Sequence, residues 1–302
     1  MRTKRRSFAV LWSAMLVVAA TAQAYPARAA DKRIVTVGGD VTEIVFALGR
    51  GAEIVAVDTT SLYPPEVLSL PKVGYMRALS SEGVLSLMPD LILANAKAGP
   101  PPAVTQIRAS GVPFIVLSEQ IGFEPFAERV SAIGAALERR DAADALVARL
   151  HRQLTALGHA VGQQPARPKV LFLLTTGERG APLASGMGTV PAAMIDLAGG
   201  TNAVDAYSEY QPLTPEAAVA AAPDYLLVAS HTLDLAGGRA NVLKLPQVAL
   251  TPAARAGRLV EISGDLLSGF GPRTPQAIAK LFLAFHPGAS LPADVLAELG
   301  DR

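Results

Sequence analysis

Apolar runs and helix-like segments alternate along the first third of the chain. The apolar runs cover residues 33–37, 54–57, 91–94 and 112–117. A helix-like segment at 42–48 separates the first two runs, and the prolines at 100–102 open another helix before the last run. Short apolar runs separated by helices are typical of parallel strands that are buried on both faces. The pattern therefore predicts a parallel sheet covered by helices.

The middle of the chain has a helical period instead. Apolar residues recur at helical spacing in two groups, first Phe126, Val130, Ile133 and Leu137, then Leu146, Leu150, Leu154 and Leu157. Charged side chains such as Glu138 and Arg149 occupy the other face. This spacing predicts one bent helix or two consecutive helices over residues 121–165. We expect this segment to bridge two lobes.

One phrase of the sequence occurs twice, 134 positions apart. A hydroxyl residue is followed two positions later by a glutamate, at Ser80 and Glu82 and again at Thr214 and Glu216. In both copies a Pro-Asp pair follows the glutamate by seven and eight positions and leads into an apolar run. A helix, a glycine stop, a short apolar run and an aspartate also precede each copy. Two copies favour a pair of similarly built lobes with a cleft between them, since a solenoid would repeat at a much shorter period.

These patterns together predict an α/β fold of two similar Rossmann-like lobes, each with a central sheet, joined by a long bridging helix. We expect an N-terminal lobe at residues 31–120, the bridging segment at 121–165 and a C-terminal lobe at 166–302. The chain has 302 residues, 50% of them hydrophobic, which is enough to bury a core in each lobe.

Residues 1–30 have the features of a cleavable export signal. Four basic residues among the first six precede an apolar stretch at 8–20, and small-residue cleavage positions follow at Ala24, Ala29 or Ala30. The stretch is shorter than the ~20 residues that a spanning helix needs, which disfavours an uncleaved anchor. The sequence has no cysteine, so neither a disulfide nor a lipid-anchor cysteine is expected. We predict a periplasmic protein.

Removal of the signal would reverse the sign of the net charge. The first 30 residues hold five basic and no acidic side chains, so the chain from Asp31 carries 22 basic against 26 acidic residues. No basic run is left, which disfavours nucleic-acid binding.

The repeated glutamates have two interpretations. Thr214 is a natural N-cap and Pro215 suits the first helical turn, so Glu216 could simply complement a helix dipole, an effect of ~0.3–1 kcal/mol. Alternatively, Glu82 and Glu216 each present an exposed carboxylate to a partner that carries arginines. The residues alone leave both interpretations open.

Two further segments could bind an anion or a metal. In the first, Tyr75 and Arg77 follow Gly74; they could be loop anchors, or Tyr75 could be a phenolate metal ligand supported by the neighbouring cation. In the second, Arg273 lies at the start of a predicted helix, where its charge opposes the dipole. Arg273 could therefore be either a solvated surface residue or a carboxylate ligand.

Few residues of the sequence indicate that the protein is an enzyme. The four histidines, His151, His159, His231 and His286, show no His-x-x-x-His spacing, and no Gly-x-Ser-x-Gly is present. His231 follows the predicted strand at 226–229, so it would face the cleft end of the second lobe.

With these residues assembled, the chain resembles the periplasmic haem-binding proteins of ABC haem importers, a branch of the two-lobed substrate-binding proteins with a long linking helix. The resemblance covers residues 34 to about 287. It is most specific at 73–77 with 80–85, where the Gly-Tyr-x-Arg loop precedes Ser-Ser-Glu-Gly-Val-Leu, and at 267–275. The segments 210–216 and 250–253 are also similar to this family.

The resemblance implies a role for each candidate residue. Tyr75 would be the axial ligand of ferric haem iron, and Arg77 would support the phenolate or contact a haem propionate. Arg273 would contact a propionate from the second lobe. Glu82 and Glu216 would dock onto arginines of the inner-membrane permease dimer.

Some members of this family place a second-lobe histidine at the haem and hold two stacked haems. His231 and Met187 are the candidates for the far side of the haem here. We expect a monomeric binding protein rather than an enzyme. The alternatives are a cobalamin or ferric-siderophore binder of the same fold and, more remotely, an exported hydrolase.

Overall fold

The computed structural model describes residues 32–174, 182–267 and 269–300, and the predicted export signal lies outside them. In the N-terminal lobe the elements are β1 (Ile34–Val37), α1 (Gly39–Ala47), β2 (Ile54–Val57), α2 (Ser81–Leu85), β3 (Leu91–Asn95), α3 (Pro101–Ala109) and β4 (Phe114–Leu117). The strands pair in parallel in the order β2-β1-β3-β4. Every residue of the two central strands, β1 and β3, is buried. The parallel sheet predicted from the apolar runs is confirmed.

Two consecutive helices bridge the lobes, α4 (Phe123–Ala136) and α5 (Arg140–Gly162). The chain turns between them at Glu138, which has a positive φ of 56°. The helices approach closely at Gly134, where a Cβ would lie 2.5 Å from the Cβ of Ala143. Of the two arrangements that the period allowed, the structure therefore has two helices.

The C-terminal lobe has a mixed sheet. Its elements are β5 (Lys169–Leu174), β6 (Leu183–Ser185), α6 (Val190–Leu197), β7 (Thr201–Asn202), β8 (Tyr210–Pro212), α7 (Pro215–Ala221), β9 (Tyr225–Ala229), α8 (Ser230–Ala236), α9 (Arg239–Leu243), α10 (Pro252–Arg255), β10 (Leu259–Ile262), α11 (Thr274–Phe285) and α12 (Ala293–Gly300). In the described part of this lobe the order is β10-β9-β5-β6-β8, and β7 also pairs with β5.

The parallel strands of the two lobes correspond. The order β7-β5-β9-β10 repeats β2-β1-β3-β4, and each copy of the repeated phrase leads into the equivalent strand, β3 or β9. The two aspartates of the phrase also make equivalent contacts: Asp90 accepts a hydrogen bond from the backbone of Arg33 at 2.8 Å, and Asp224 accepts one from Lys169 at 2.9 Å. The prediction of two similar lobes is confirmed.

The lobes differ at one sheet edge. β7 pairs only with the start of β5, because the antiparallel β6 occupies the end of β5. β6 in turn pairs with β8, so this sheet has two antiparallel strands that the N-terminal sheet lacks among its described strands.

A continuous apolar core joins the lobes through the bridge. It includes buried residues of β1, α4, α5, β5 and α11, among them Ile34, Ile133, Leu150, Phe172 and Phe282. Most of the helical-period residues of the bridge are fully buried, as their spacing predicts. No helix among the described residues has the length and apolarity to cross a bilayer.

Candidate functional site

The carboxyl ends of the parallel strands are where an open α/β sheet binds its ligands. In the N-terminal lobe this edge carries the segments that follow β1, β2, β3 and β4. In the C-terminal lobe it carries the segments that follow β9 and β10, while residues 175–181 after β5 lie outside the described residues. Most of the predicted site residues lie on these segments.

The Tyr75 loop is held by backbone hydrogen bonds on both sides. Gly74 has a φ of 95°, and its carbonyl accepts a hydrogen bond from the Thr59 backbone at 2.9 Å. The Tyr75 carbonyl accepts one from Ala78 at 2.7 Å, and the Met76 carbonyl accepts one from Gly99 at 2.8 Å. This bracing orders the loop although its tip is exposed.

The side chains at the tip of this loop are available to a ligand. Tyr75 is 46% exposed, and Arg77 is also exposed. Within the described residues, neither side chain has a hydrogen-bond or ion-pair partner. A phenol beside a guanidinium can offer an anionic oxygen to a hard metal such as ferric iron and a cation to a carboxylate.

Lys97 lies near the Tyr75 loop, and no sequence motif marked it as a candidate site residue. It follows the carboxyl end of β3, where the Asn95 side chain accepts a hydrogen bond from the Lys97 backbone at 2.9 Å. Its ammonium lies 3.1 Å from Glu119, and the two side chains are 45% and 40% exposed. A lysine directly after a predicted strand of a parallel sheet is the signal that could have identified it.

Arg273 has a different environment from the one its sequence suggested. Its guanidinium donates two hydrogen bonds to Glu43 of α1, at 3.0 and 2.5 Å, and one to Asp265 at 2.6 Å. It also lies over the Tyr63 ring, 3.6 Å from the centroid. Arg273 is not a solvated surface residue; its side chain is only 15% exposed and joins the two lobes.

A second arginine makes a similar junction beside it. Arg129 of α4 is 2% exposed and donates hydrogen bonds to the carbonyls of Ser118, Gln120 and Phe270, at 3.1, 3.0 and 2.6 Å. Its Nε lies 3.7 Å from Asp40 at the start of α1. Together Asp40, Glu43, Arg129, Asp265 and Arg273 form a largely buried ionic cluster that we call the interlobe clamp.

The pKa values in the interlobe clamp follow from burial and pairing. Burial raises the pKa of Asp40, although the charge of Arg129 opposes this. Burial also raises the pKa of Glu43 more than the hydrogen bond and charge of Arg273 lower it. Asp265 is buried as well, but hydrogen bonds from Ser263 and Arg273 and the charge of Arg273 leave its pKa below the usual value. Burial lowers the pKa of Arg273, but the hydrogen bonds and charges of Glu43 and Asp265 together outweigh this effect and raise it.

A cavity of about 850 Å³ lies beside the interlobe clamp. Its walls include Phe46 and Tyr63 of the N-terminal lobe, Arg152 of α5, and Pro272 and Arg273 of the C-terminal lobe. Tyr75 and Arg77 do not line it. The cavity and the Tyr75 loop are therefore separate features of the structure.

The two second-lobe candidates lie in different places. His231 is exposed and lies at the carboxyl end of β9, where a Cβ on Gly264 would be 2.7 Å from the His231 Nδ1. Met187 is 49% exposed and pairs through its backbone with Tyr207 and Glu209, next to β6 and β8. Within the described residues, no side-chain contact joins either residue to Tyr75.

The repeated glutamates occupy equivalent positions. Glu82 lies in the first turn of α2, whose N-cap Ser80 accepts a hydrogen bond from Gly83 at 3.1 Å. Glu216 lies in the first turn of α7, whose N-cap Thr214 accepts one from Ala217 at 3.2 Å. Both carboxylates are exposed, and neither has a side-chain partner among the described residues. Each carboxylate can complement the dipole of its helix and still bind a partner protein.

The described residues contain no cluster of three or more His, Cys, Asp or Glu side chains that could hold a metal ion.

Comparison with known proteins identifies the class. The model of the family described as periplasmic binding protein matches residues 34–266, and the chain belongs to this family. Among solved structures, the periplasmic heme-binding protein RhuT from Roseiflexus sp. RS-1 is 38% identical, with a TM-score of 0.82 over 86% of this chain and 100% of that one. The periplasmic heme-binding protein BhuT in complex with two hemes is 41% identical, with a TM-score of 0.80 over 84% and 99% of the two chains.

A curated relative has a different ligand in its name. The vitamin B12-binding protein of Pectobacterium carotovorum is 23% identical over 285 residues, which are 92% of this chain and 96% of the relative. The predicted family is thus confirmed, and its members are substrate-binding proteins.

Proposed function

We propose that this protein captures haem in the periplasm and delivers it to an ABC importer of the inner membrane. The observation that carries the proposal is the ordered Tyr75 loop, which presents a phenol and the guanidinium of Arg77 without partners in the described chain. The similarity to two heme-binding proteins, both above 35% in identity, supports the same ligand.

The chemistry of the loop suits ferric haem. The Tyr75 phenolate is the axial ligand to the iron, as tyrosinate is in some haem proteins. Arg77 stabilises the phenolate or binds a propionate. The porphyrin gains most of its affinity from burial of its apolar faces between the lobes. His231 and Met187 are the second-lobe residues that we propose for the far side of the haem.

Arg273 binds a haem propionate only if it leaves its present partners. It would have to give up Glu43 and Asp265, and removing one partner of a buried pair costs about 3–5 kcal/mol. The interlobe contact is therefore its main role in our proposal.

Delivery requires a contact with the importer. We propose that Glu82 and Glu216, one on each lobe, bind arginines of the two permease subunits. In this proposal the export signal at 1–30 is removed and the protein acts as a monomer in the periplasm.

Titration of the purified protein with hemin, followed by absorbance, tests the ligand. The wild-type protein should give the visible spectrum of a tyrosinate-ligated ferric haem. Tyr75→Phe removes the ligand oxygen, so the spectrum should change and the affinity should fall by roughly tenfold or more. Tyr225→Phe is the matched control, because Tyr225 lies at the opposite, amino end of β9.

Two outcomes would contradict the proposal. If Tyr75→Phe binds hemin with the wild-type spectrum and affinity, Tyr75 is not the ligand. If the wild-type protein takes up cobalamin and ignores hemin, the alternative that the vitamin B12-binding relative suggests is correct.

A further inference from the structure

Haem carries two propionates, and Arg77 accounts for at most one of them. Arg273, the second cation that the sequence suggested, is held by two carboxylates and stacked on Tyr63. Binding a propionate there would leave Glu43 and Asp265 buried without their cation. The cation that binds the second propionate should therefore be a side chain whose present ion pair costs little free energy to break.

The segment that carries Lys97 is hydrogen-bonded to the Tyr75 loop through Gly99. Gly99 donates a backbone hydrogen bond to Met76 at 2.8 Å and accepts one from Leu79 at 2.8 Å. A Cβ built on Gly99 would lie 3.6 Å from the carbonyl oxygen of Arg77 and 3.9 Å from that of Lys97. The backbones of Arg77 and Lys97 are thus neighbours at one point of the sheet edge that carries Tyr75.

The present partner of Lys97 holds it only weakly. Both members of the Lys97–Glu119 pair are at least 40% exposed, and exposed pairs of this kind are screened by water and salt. Glu119 remains solvated if Lys97 turns away, so exchange leaves no buried charge. This is the opposite of the situation at Arg273.

We propose that Lys97 is the second cation of the ligand site and binds a propionate of the haem whose iron Tyr75 ligates. This inference rests on the proposed function and adds a residue to it. Both propionate-binding cations, Arg77 and Lys97, then belong to the N-terminal lobe. Lys97 exchanges Glu119 for the propionate when the ligand binds.

The test compares hemin with its dimethyl ester, in which both propionates are neutral. Lys97→Ala should weaken hemin binding by roughly tenfold, because a charge-assisted contact is lost, and should leave the tyrosinate spectrum unchanged. The same variant should bind the iron(III) protoporphyrin dimethyl ester as the wild-type protein does. Lys244→Ala, which removes an exposed lysine of the C-terminal lobe, is the control and should affect neither ligand.

A third variant strengthens the comparison. Glu119→Gln frees Lys97 from its competing partner, so it should bind hemin at least as tightly as the wild-type protein.

The results separate this inference from the proposed function. Equal hemin affinity of Lys97→Ala and the wild-type protein would overturn the role of Lys97 while leaving the proposed function intact. An equal loss for hemin and for the dimethyl ester would also overturn it, because the effect would then not depend on the propionates. A wild-type protein that binds no hemin would overturn the proposed function and this inference with it.

Discussion

Tyr75 and Arg273 differ in what surrounds their side chains. Tyr75 is 46% exposed, on a loop held only through its backbone. Arg273 is 15% exposed and hydrogen-bonded to Glu43 and Asp265. An exposed group can bind a new partner without leaving a buried charge behind, whereas Arg273 cannot. At the scale of single residues, the environment therefore distinguishes Tyr75, the proposed ligand of the haem iron, from Arg273, which makes a structural contact.

Gly74 determines where the Tyr75 side chain is presented. Its φ of 95° is one that a residue with a Cβ rarely adopts. Gly74→Ala should lower the free energy of unfolding by about 1 kcal/mol and weaken hemin binding, because the strained loop moves Tyr75. Urea unfolding and hemin titration measure the two effects.

Gly111→Ala is the matched control for this prediction. Gly111 has a similar φ of 83° with open space around it, but it follows α3. The control should lose a similar amount of stability and keep its hemin affinity. If both variants bind hemin equally, the geometry of Gly74 has no part in the site.

At the scale of elements, the repeated phrase builds a short capped helix followed by a central strand in each lobe. Ser80 and Thr214 cap α2 and α7, and Asp90 and Asp224 accept hydrogen bonds from the backbone where β1 and β5 begin. These capping and backbone contacts occupy equivalent positions in the two lobes. None of them involves Glu82 or Glu216. Glu82 and Glu216 remain exposed on both helices, which leaves them available for a partner.

Glu82→Ala and Glu216→Ala should separate docking from ligand binding. We expect unchanged hemin affinity, and a loss of at most about 1 kcal/mol of stability from the helix dipole. Delivery should fall in each variant, measured as ligand-dependent ATP hydrolysis of the importer in vesicles.

Glu124→Ala controls for the helix position, since Glu124 is an exposed acidic residue in the first turn of α4. Docking would be contradicted if this control reduced delivery as much as the two variants do.

At the scale of the whole molecule, the lobes are joined by more than the bridging helices. The apolar core runs through α4 and α5 into both sheets, and the interlobe clamp adds ionic contacts next to it. Arg129 and Arg273 each connect the C-terminal lobe with the N-terminal half of the chain. Such a junction favours small changes of the cleft on ligand binding.

Arg273→Ala should lower the free energy of unfolding by about 3 kcal/mol, because Glu43 and Asp265 lose their buried partner. Urea unfolding measures this loss. Arg167→Ala breaks an exposed pair with Asp196 instead and should cost less than about 1 kcal/mol. A variant of Arg273 that keeps full stability but loses hemin affinity would show that Arg273 is a ligand contact and not part of a clamp.

Local patterns in the sequence were enough to predict the parallel sheet of the N-terminal lobe, the helical bridge and the repeat. Helical spacing in the bridge and apolar runs in the strands are properties of neighbouring residues, and burial follows from them directly. The repeated phrase predicted that the lobes correspond, because equal local patterns build equal units. Gly74, Tyr75 and Arg77 lie within four consecutive residues, so one motif was enough to predict the site.

Which charged side chains pair with each other could not be predicted from the sequence, because the packing of distant segments sets these contacts. Arg273 and its partner Glu43 are 230 residues apart, and no local pattern shows that α1 and α11 begin at the same junction. Likewise, the segment after β3 that carries Lys97 lies beside the Tyr75 loop only because Gly99 is hydrogen-bonded to Met76 and Leu79. The energy of a charge depends on its burial and on its partners, and both are set by the packing of distant segments.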